Sequence, residues 1–127
     1  PSDPRTFLKK IRNHLDKNGF QEIEIKATRG FMSATRLDPN HPWAQWTINS
    51  LKKTSGMEID VLPNLGGTLP NDAFADILKL PTIWIPHSYL SCSQHAPNEH
   101  MIESVVKSGL KLMAGIFWDL GEKGTPN

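Results

Sequence analysis

Residues 98–120 constrain the fold of this chain more than any other stretch. Met101, Ile102, Val105, Val106, Leu110, Leu112, Met113, Ile116, Phe117 and Trp118 recur there at helical spacing and cover more than half of a helix circumference. A helix of that kind is predicted to be deeply packed, with Trp118 against a sheet. Residues 82–86, Thr-Ile-Trp-Ile-Pro, form a near-continuous apolar run. Such a run predicts a strand covered on both faces, with Trp84 buried at its centre. From about residue 43 the order reads helix, strand, helix, strand, helix, which predicts an α/β fold with a parallel pair joined by a crossover helix.

The remaining elements follow from local signals. Ser2 or Asp3 is placed to cap a first helix with Pro4 in its first turn, Phe7, Leu8, Ile11 and Leu15 on one face, and Gly19 as its stop. Ile23, Ile25 and Ala27 alternate with charged residues and predict a strand with one wet face. Gly30, Pro39 and Pro42 mark residues 28–42 as a loop, and Pro42 opens a helix carrying Trp43, Trp46 and Leu51 that stops at Gly56. Residues 57–62 read as a short strand, and Asn71 as the cap of a short helix ended by Leu80-Pro81. The first 27 residues and the rest differ in style of surface, which puts a boundary in the loop 28–40.

Lys and Arg number 14 against 13 Asp and Glu, a net charge of +1, which excludes ordinary electrostatic binding of nucleic acid. No apolar run approaches the ~20 residues needed to span a bilayer. Cys92 is the single cysteine, so no internal disulfide forms; this reads as a reducing compartment or as indifference to redox, and the cytoplasm is expected. The chain opens Pro-Ser-Asp-Pro, without an initiator Met or a signal-peptide pattern, and reads as a cut through a longer protein.

Two loops, each placed between a predicted strand and a helix, hold the candidate chemistry. Gly66, Gly67 and Thr68 read either as a tight turn or as a cradle for a carboxylate or oxyanion ahead of a helix N-terminus. The second loop brings His87, Cys92, His95 and His100 within fourteen residues. Imidazole is the commonest zinc ligand among neutral side chains, yet the spacing fits no closed zinc site, so any metal needs ligands from elsewhere. A Cys92–His95 nucleophilic pair lacks an evident orienting group. A plain polar loop capped by Asn98 or Glu99 is the third reading.

Taken together, GGTLPNDAFADILKLPTIWIPHSYLSCSQHAPNEH resembles the C-terminal part of the co-catalytic zinc metallopeptidases and deacylases, the relatives of acetylornithine deacetylase, succinyl-diaminopimelate desuccinylase, aminoacylase and carnosine dipeptidase. The Gly-Gly-Thr loop, the apolar run and a His-x-Pro-Asn-Glu motif opening a long last helix occur in that family's order, and the resemblance covers roughly residues 36–121. It implies that residues 1–30 are the last helix and strand of an α+β lid and dimerisation domain. It implies that residues 31–127 are the C-terminal half of a catalytic α/β sheet domain. His95 then falls on the family's last metal ligand, and Gly66, Gly67 and Thr68 on a substrate-lining loop.

The resemblance further implies two divalent ions, zinc before cobalt or manganese, a small peptide or N-acyl amino acid as substrate, and a homodimer formed through the lid. No membrane and no nucleic acid partner is expected. The general base, the bridging aspartate and the other ligands would lie upstream of Pro1, so no catalytic residue is assigned here and the piece alone is expected to be inactive. The lid arginine that commonly holds the substrate carboxylate would also lie upstream. Arg36 matches it on charge alone, and a solvated arginine is the plainer reading. In such enzymes two metals lower the pKa of a shared water, and a glutamate moves its proton to the leaving nitrogen. The competing readings are a non-enzymatic dimerisation module and a stand-alone carboxylate-binding module built on Gly66 and Gly67.

Overall fold

The computed structural model describes residues 3–27, 32–63, 65–67 and 69–126. Three α-helices order the described residues: α1 (Phe7–Lys17), α2 (Pro42–Ser55) and α3 (Glu103–Lys123). A 3-10 turn, Pro4–Thr6, leads into α1, and a five-residue π turn, Ala73–Ile77, lies between α2 and α3. There is no strand and no sheet among the described residues, which overturns the α/β expectation for both the lid-like and the catalytic-like parts. Residues 23–27, 57–62 and 82–86 carry strand-like patterns but lie beside no neighbouring strand. Alternation and apolar runs give a segment β preference, whereas a strand exists only through the ladder it shares. Pro86 also removes one amide donor from the apolar run, and Pro81 another just before it.

The chain divides into two compact units. The first comprises Pro1–Arg36 and Asn64–Thr82. Asp3 opens it, its carboxylate accepting from the Arg5 amide at 3.0 Å and its carbonyl from Thr6 N–H at 3.0 Å. Helix α1 ends in a Schellman turn: the Phe20 amide donates to Leu15 O at 2.9 Å and the Gly19 amide to Asp16 O at 3.3 Å, with Gly19 at φ +82°. Arg12 ties down the chain beyond the turn, donating to Phe20 O at 2.9 Å and Ile23 O at 2.6 Å while pairing with Asp16. Asp72 joins the two pieces of this unit, one oxygen accepting from the Ser33 amide at 2.9 Å and the other from its neighbour Ala73 at 3.1 Å. No side chain of α1 is buried.

The second unit comprises Leu37–Pro63 and Ile83–Asn127 and is built on α2 packed against α3. Pro42 begins α2 as predicted, and His41 is the cap: its Nδ1 accepts from the Trp43 amide at 3.2 Å. Gly56, at φ +71°, stops the helix, its amide donating to Lys52 O at 2.9 Å. Trp43 and Trp46 meet edge to face, 5.9 Å between centroids. Thr47, Ser50 and Leu51 are the buried residues of α2, and Gly109 and Asp119 those of α3.

Helix α3 reverses the expected packing. Its small and polar side, Gly115 and Asp119, faces α2, and a Cβ on Gly115 would lie 2.9 Å from Thr54 Cβ. Val106, Leu110 and Phe117, on the opposite side of the helix, are 37%, 68% and 69% exposed. Trp118 is 68% exposed and Trp84 37%, so neither is the buried core residue its apolar surroundings predict. Close approach of two helices selects small residues at the contact, and the aromatic side is thereby turned away. The helix also starts at Glu103 rather than at Asn98, with Ile102 in the capping position and no side-chain cap.

Candidate functional site

Residues 89–100 form a loop closed by its own backbone. The Cys92 amide donates to Tyr89 O at 3.1 Å, and the His100 amide to Cys92 O at 3.0 Å. Within that closure the Ala96 amide donates to Ser93 O at 2.9 Å and the Glu99 amide to Ala96 O at 3.3 Å. Ser93, His95 and Asn98 all adopt left-handed backbone, with φ of +57°, +63° and +64°. Asn and His tolerate that region better than most residues, but three such positions in six still cost conformational energy that the closing hydrogen bonds must offset.

His95 sits at the exposed tip of this loop. Its amide donates to Glu99 Oε2 at 3.2 Å, and its imidazole has no hydrogen bond among the described residues. Two of its neighbours differ from it in burial or pairing. Cys92 is a free thiol only 5% exposed, His100 Nδ1 lies 2.8 Å from Asn98 O, and the Tyr89 and His100 rings meet edge to face at 5.9 Å. His87 packs its ring on α3 where Gly109 leaves room, since a Cβ there would lie 2.9 Å from Nδ1. Asn98 and Glu99 do not cap α3; Glu99 instead holds the His95 backbone.

Gly66 and Gly67 are exposed, and a Cβ on Gly66 would meet nothing within 4 Å. Thr68 lies outside the described residues. The turn after this loop is short, and Asp72 Oδ1 already accepts the Ala73 amide there. Gly66 and Gly67 belong to the first unit and His95 to the second. The boundary that the resemblance puts after residue 30 also falls outside the described residues.

Among the described residues no three of His, Cys, Asp and Glu come together as a group able to hold a metal. His95 is thus not joined by two further His, Cys, Asp or Glu side chains among the described residues. No helix among the described residues is long and apolar enough to cross a membrane.

A polar cluster between α2 and α3 went unseen in the sequence. Lys53 Nζ lies 2.5 Å from Asp119 Oδ1 and 3.7 Å from Glu122 Oε2, and Lys123 Nζ lies 3.9 Å from the same Asp119 oxygen. Asp119 is 2% exposed, and neither its Oδ2 nor the buried Ser50 hydroxyl makes a hydrogen bond of good geometry. The Lys53 ammonium, and after it the nearby Ser50 hydroxyl, hold the Asp119 carboxyl below the ordinary carboxylate range despite its burial. The available signal was a lone acid in the run Phe117-Trp118-Asp119-Leu120.

Searches against protein-family models, curated proteins and solved structures found no match to this chain.

Proposed function

We propose that this chain is the C-terminal part of a metal-dependent amide hydrolase acting on an N-acyl amino acid or a small peptide, and that His95 is the metal ligand it contributes. The observation that carries the reading is the His95 imidazole, exposed at the tip of a loop closed by its own backbone and without a hydrogen bond among the described residues. The motif His-Ala-Pro-Asn-Glu, which resembles that of the co-catalytic metallopeptidases and deacylases, supports the same residue.

The roles of this chain's own residues follow from their chemistry. Glu99 fixes the backbone at His95 through the 3.2 Å hydrogen bond, which limits the directions the imidazole takes. A neutral ring donates one nitrogen to a cation and leaves the other N–H for an acceptor. Cys92 is buried and is not a nucleophile in this scheme. Two divalent ions, zinc foremost, supply when bound the Lewis acidity that activates a water and polarises the scissile carbonyl. The unpaired cysteine fits a reducing compartment, and the activity is assigned to the cytoplasm on that ground.

The test is hydrolysis of a panel of N-acetyl amino acids and dipeptides by the whole polypeptide carrying this chain, before and after chelation. Turnover lost on chelation and restored by zinc, cobalt or manganese is the expected result. Turnover indifferent to chelation, or none with any divalent ion on any amide of the panel, contradicts the proposal.

A further inference from the structure

We propose that Asn18 is a site of spontaneous covalent modification, converting to aspartate and isoaspartate through attack by the Gly19 amide nitrogen. Asn18-Gly19 is the one Asn-Gly pair in the chain. Both residues are exposed, and a side chain at Gly19 would meet nothing within 4 Å, so no other side chain packs over the turn there. That nitrogen holds one long hydrogen bond, to Asp16 O at 3.3 Å. Helix α1 buries no side chain, so opening its last turn exposes no core. The opposing contacts are hydrogen bonds that are released when that turn opens: the Asn18 side-chain amide to His14 O at 2.7 Å, the Phe20 amide to Leu15 O at 2.9 Å, Gln21 Nε2 to Asp16 O at 2.9 Å, and Arg12 to Phe20 O and Ile23 O.

The step balances with water as the one co-reactant. The Gly19 nitrogen gives its proton to solvent and bonds to Asn18 Cγ, the Cγ–Nδ2 bond breaks, and ammonia leaves. Water then opens the cyclic imide at either carbonyl, giving aspartate or isoaspartate. Either product places a carboxylate at the C-terminal end of α1, where the helix dipole opposes it. Isoaspartate also inserts a methylene into the main chain. It thereby displaces the Gly19 and Phe20 amides from Asp16 O and Leu15 O, the bonds that stop the helix.

The experiment ages the folded chain at body temperature in mildly acidic and mildly alkaline buffer and maps the products by peptide mass and by isoaspartyl methyltransferase labelling. The expected result is an amide-to-acid mass shift confined to the peptide containing residues 18 and 19, faster in alkali, with isoaspartate present. Asn49, within α2 beside the buried Ser50, keeps its amide, and Asn18→Gln abolishes the shift. Conversion of the unfolded chain while the folded chain stays unshifted in the same buffer would overturn the proposal, since the helix-ending turn would then protect Asn18.

Discussion

Lys53 and Asp119 join α2 to α3 through an ion pair whose carboxylate is 2% exposed while the ammonium side chain is 51% exposed. The asymmetry matters. Lys53 loses little hydration by pairing, whereas Asp119 depends on its partner to stay charged in a buried position.

The pair makes stability fall in acid. Asp119 has a depressed pKa in the folded state, so its contribution is present above the unfolded carboxylate value and is lost as pH falls through the lower folded value. Thermal unfolding followed from pH ~6 to below pH ~3 therefore shows a loss beginning near the ordinary Asp range of about 4. Lys53→Met lowers the midpoint at neutral pH and shrinks the acid-side loss, because protonation then relieves a buried charge left with only Lys123, at 3.9 Å. A midpoint in that variant equal to wild type at neutral pH removes the ion pair from the account.

Gly115 is required by its contact with Thr54. An added methyl would lie 2.8 Å from Thr54 Cγ2 and 2.9 Å from Cβ, so the helices must move apart. Gly115→Ala is expected to lose about 1–3 kcal/mol to overpacking, against a helix-propensity gain of roughly 1 kcal/mol. In a Thr54→Ala background the same substitution is neutral or stabilising. A double-mutant cycle in urea measures the coupling, and additive changes would show that the two residues do not touch.

His41 holds the start of α2. His41→Ala is expected to cost ~0.5–2 kcal/mol, and His41→Asp to recover most of it, because a carboxylate also accepts from the Trp43 amide. Denaturant unfolding of the three proteins decides this; equal stability of His41→Ala and wild type contradicts the cap.

The outward side of α3 should drive self-association. Leu110, Phe117 and Trp118 are each about two-thirds exposed, far more apolar side chain than an isolated soluble surface usually shows on one helix. Sedimentation velocity is expected to show a concentration-dependent increase in mass that Leu110→Ser/Phe117→Ser removes. A monomer at every concentration contradicts it.

What was legible in the sequence was local. The stops at Gly19 and Gly56 and the opening of α2 at Pro42 depend on residues within one turn, and all three stand in the structure. The strands at residues 23–27, 57–62 and 82–86 required a partner segment that pattern alone does not supply. The apolar excess of residues 98–120 told how much surface sought cover but not which side would find it, and α3 turned Gly115 and Asp119 inward instead. At the site, the turns around His95 follow from Ser, Pro and Asn in the loop, while the roles of Glu99 and His41 became visible only with their hydrogen bonds.

The central claim is that His95 is one ligand of a metal centre. Metal content of the whole polypeptide carrying this chain, purified with and without His95→Ala and measured by plasma mass spectrometry, tests it most directly. The account predicts loss of one divalent ion per chain in the variant, with unchanged helix content and most turnover gone; full metal content and near-normal turnover in His95→Ala would contradict it.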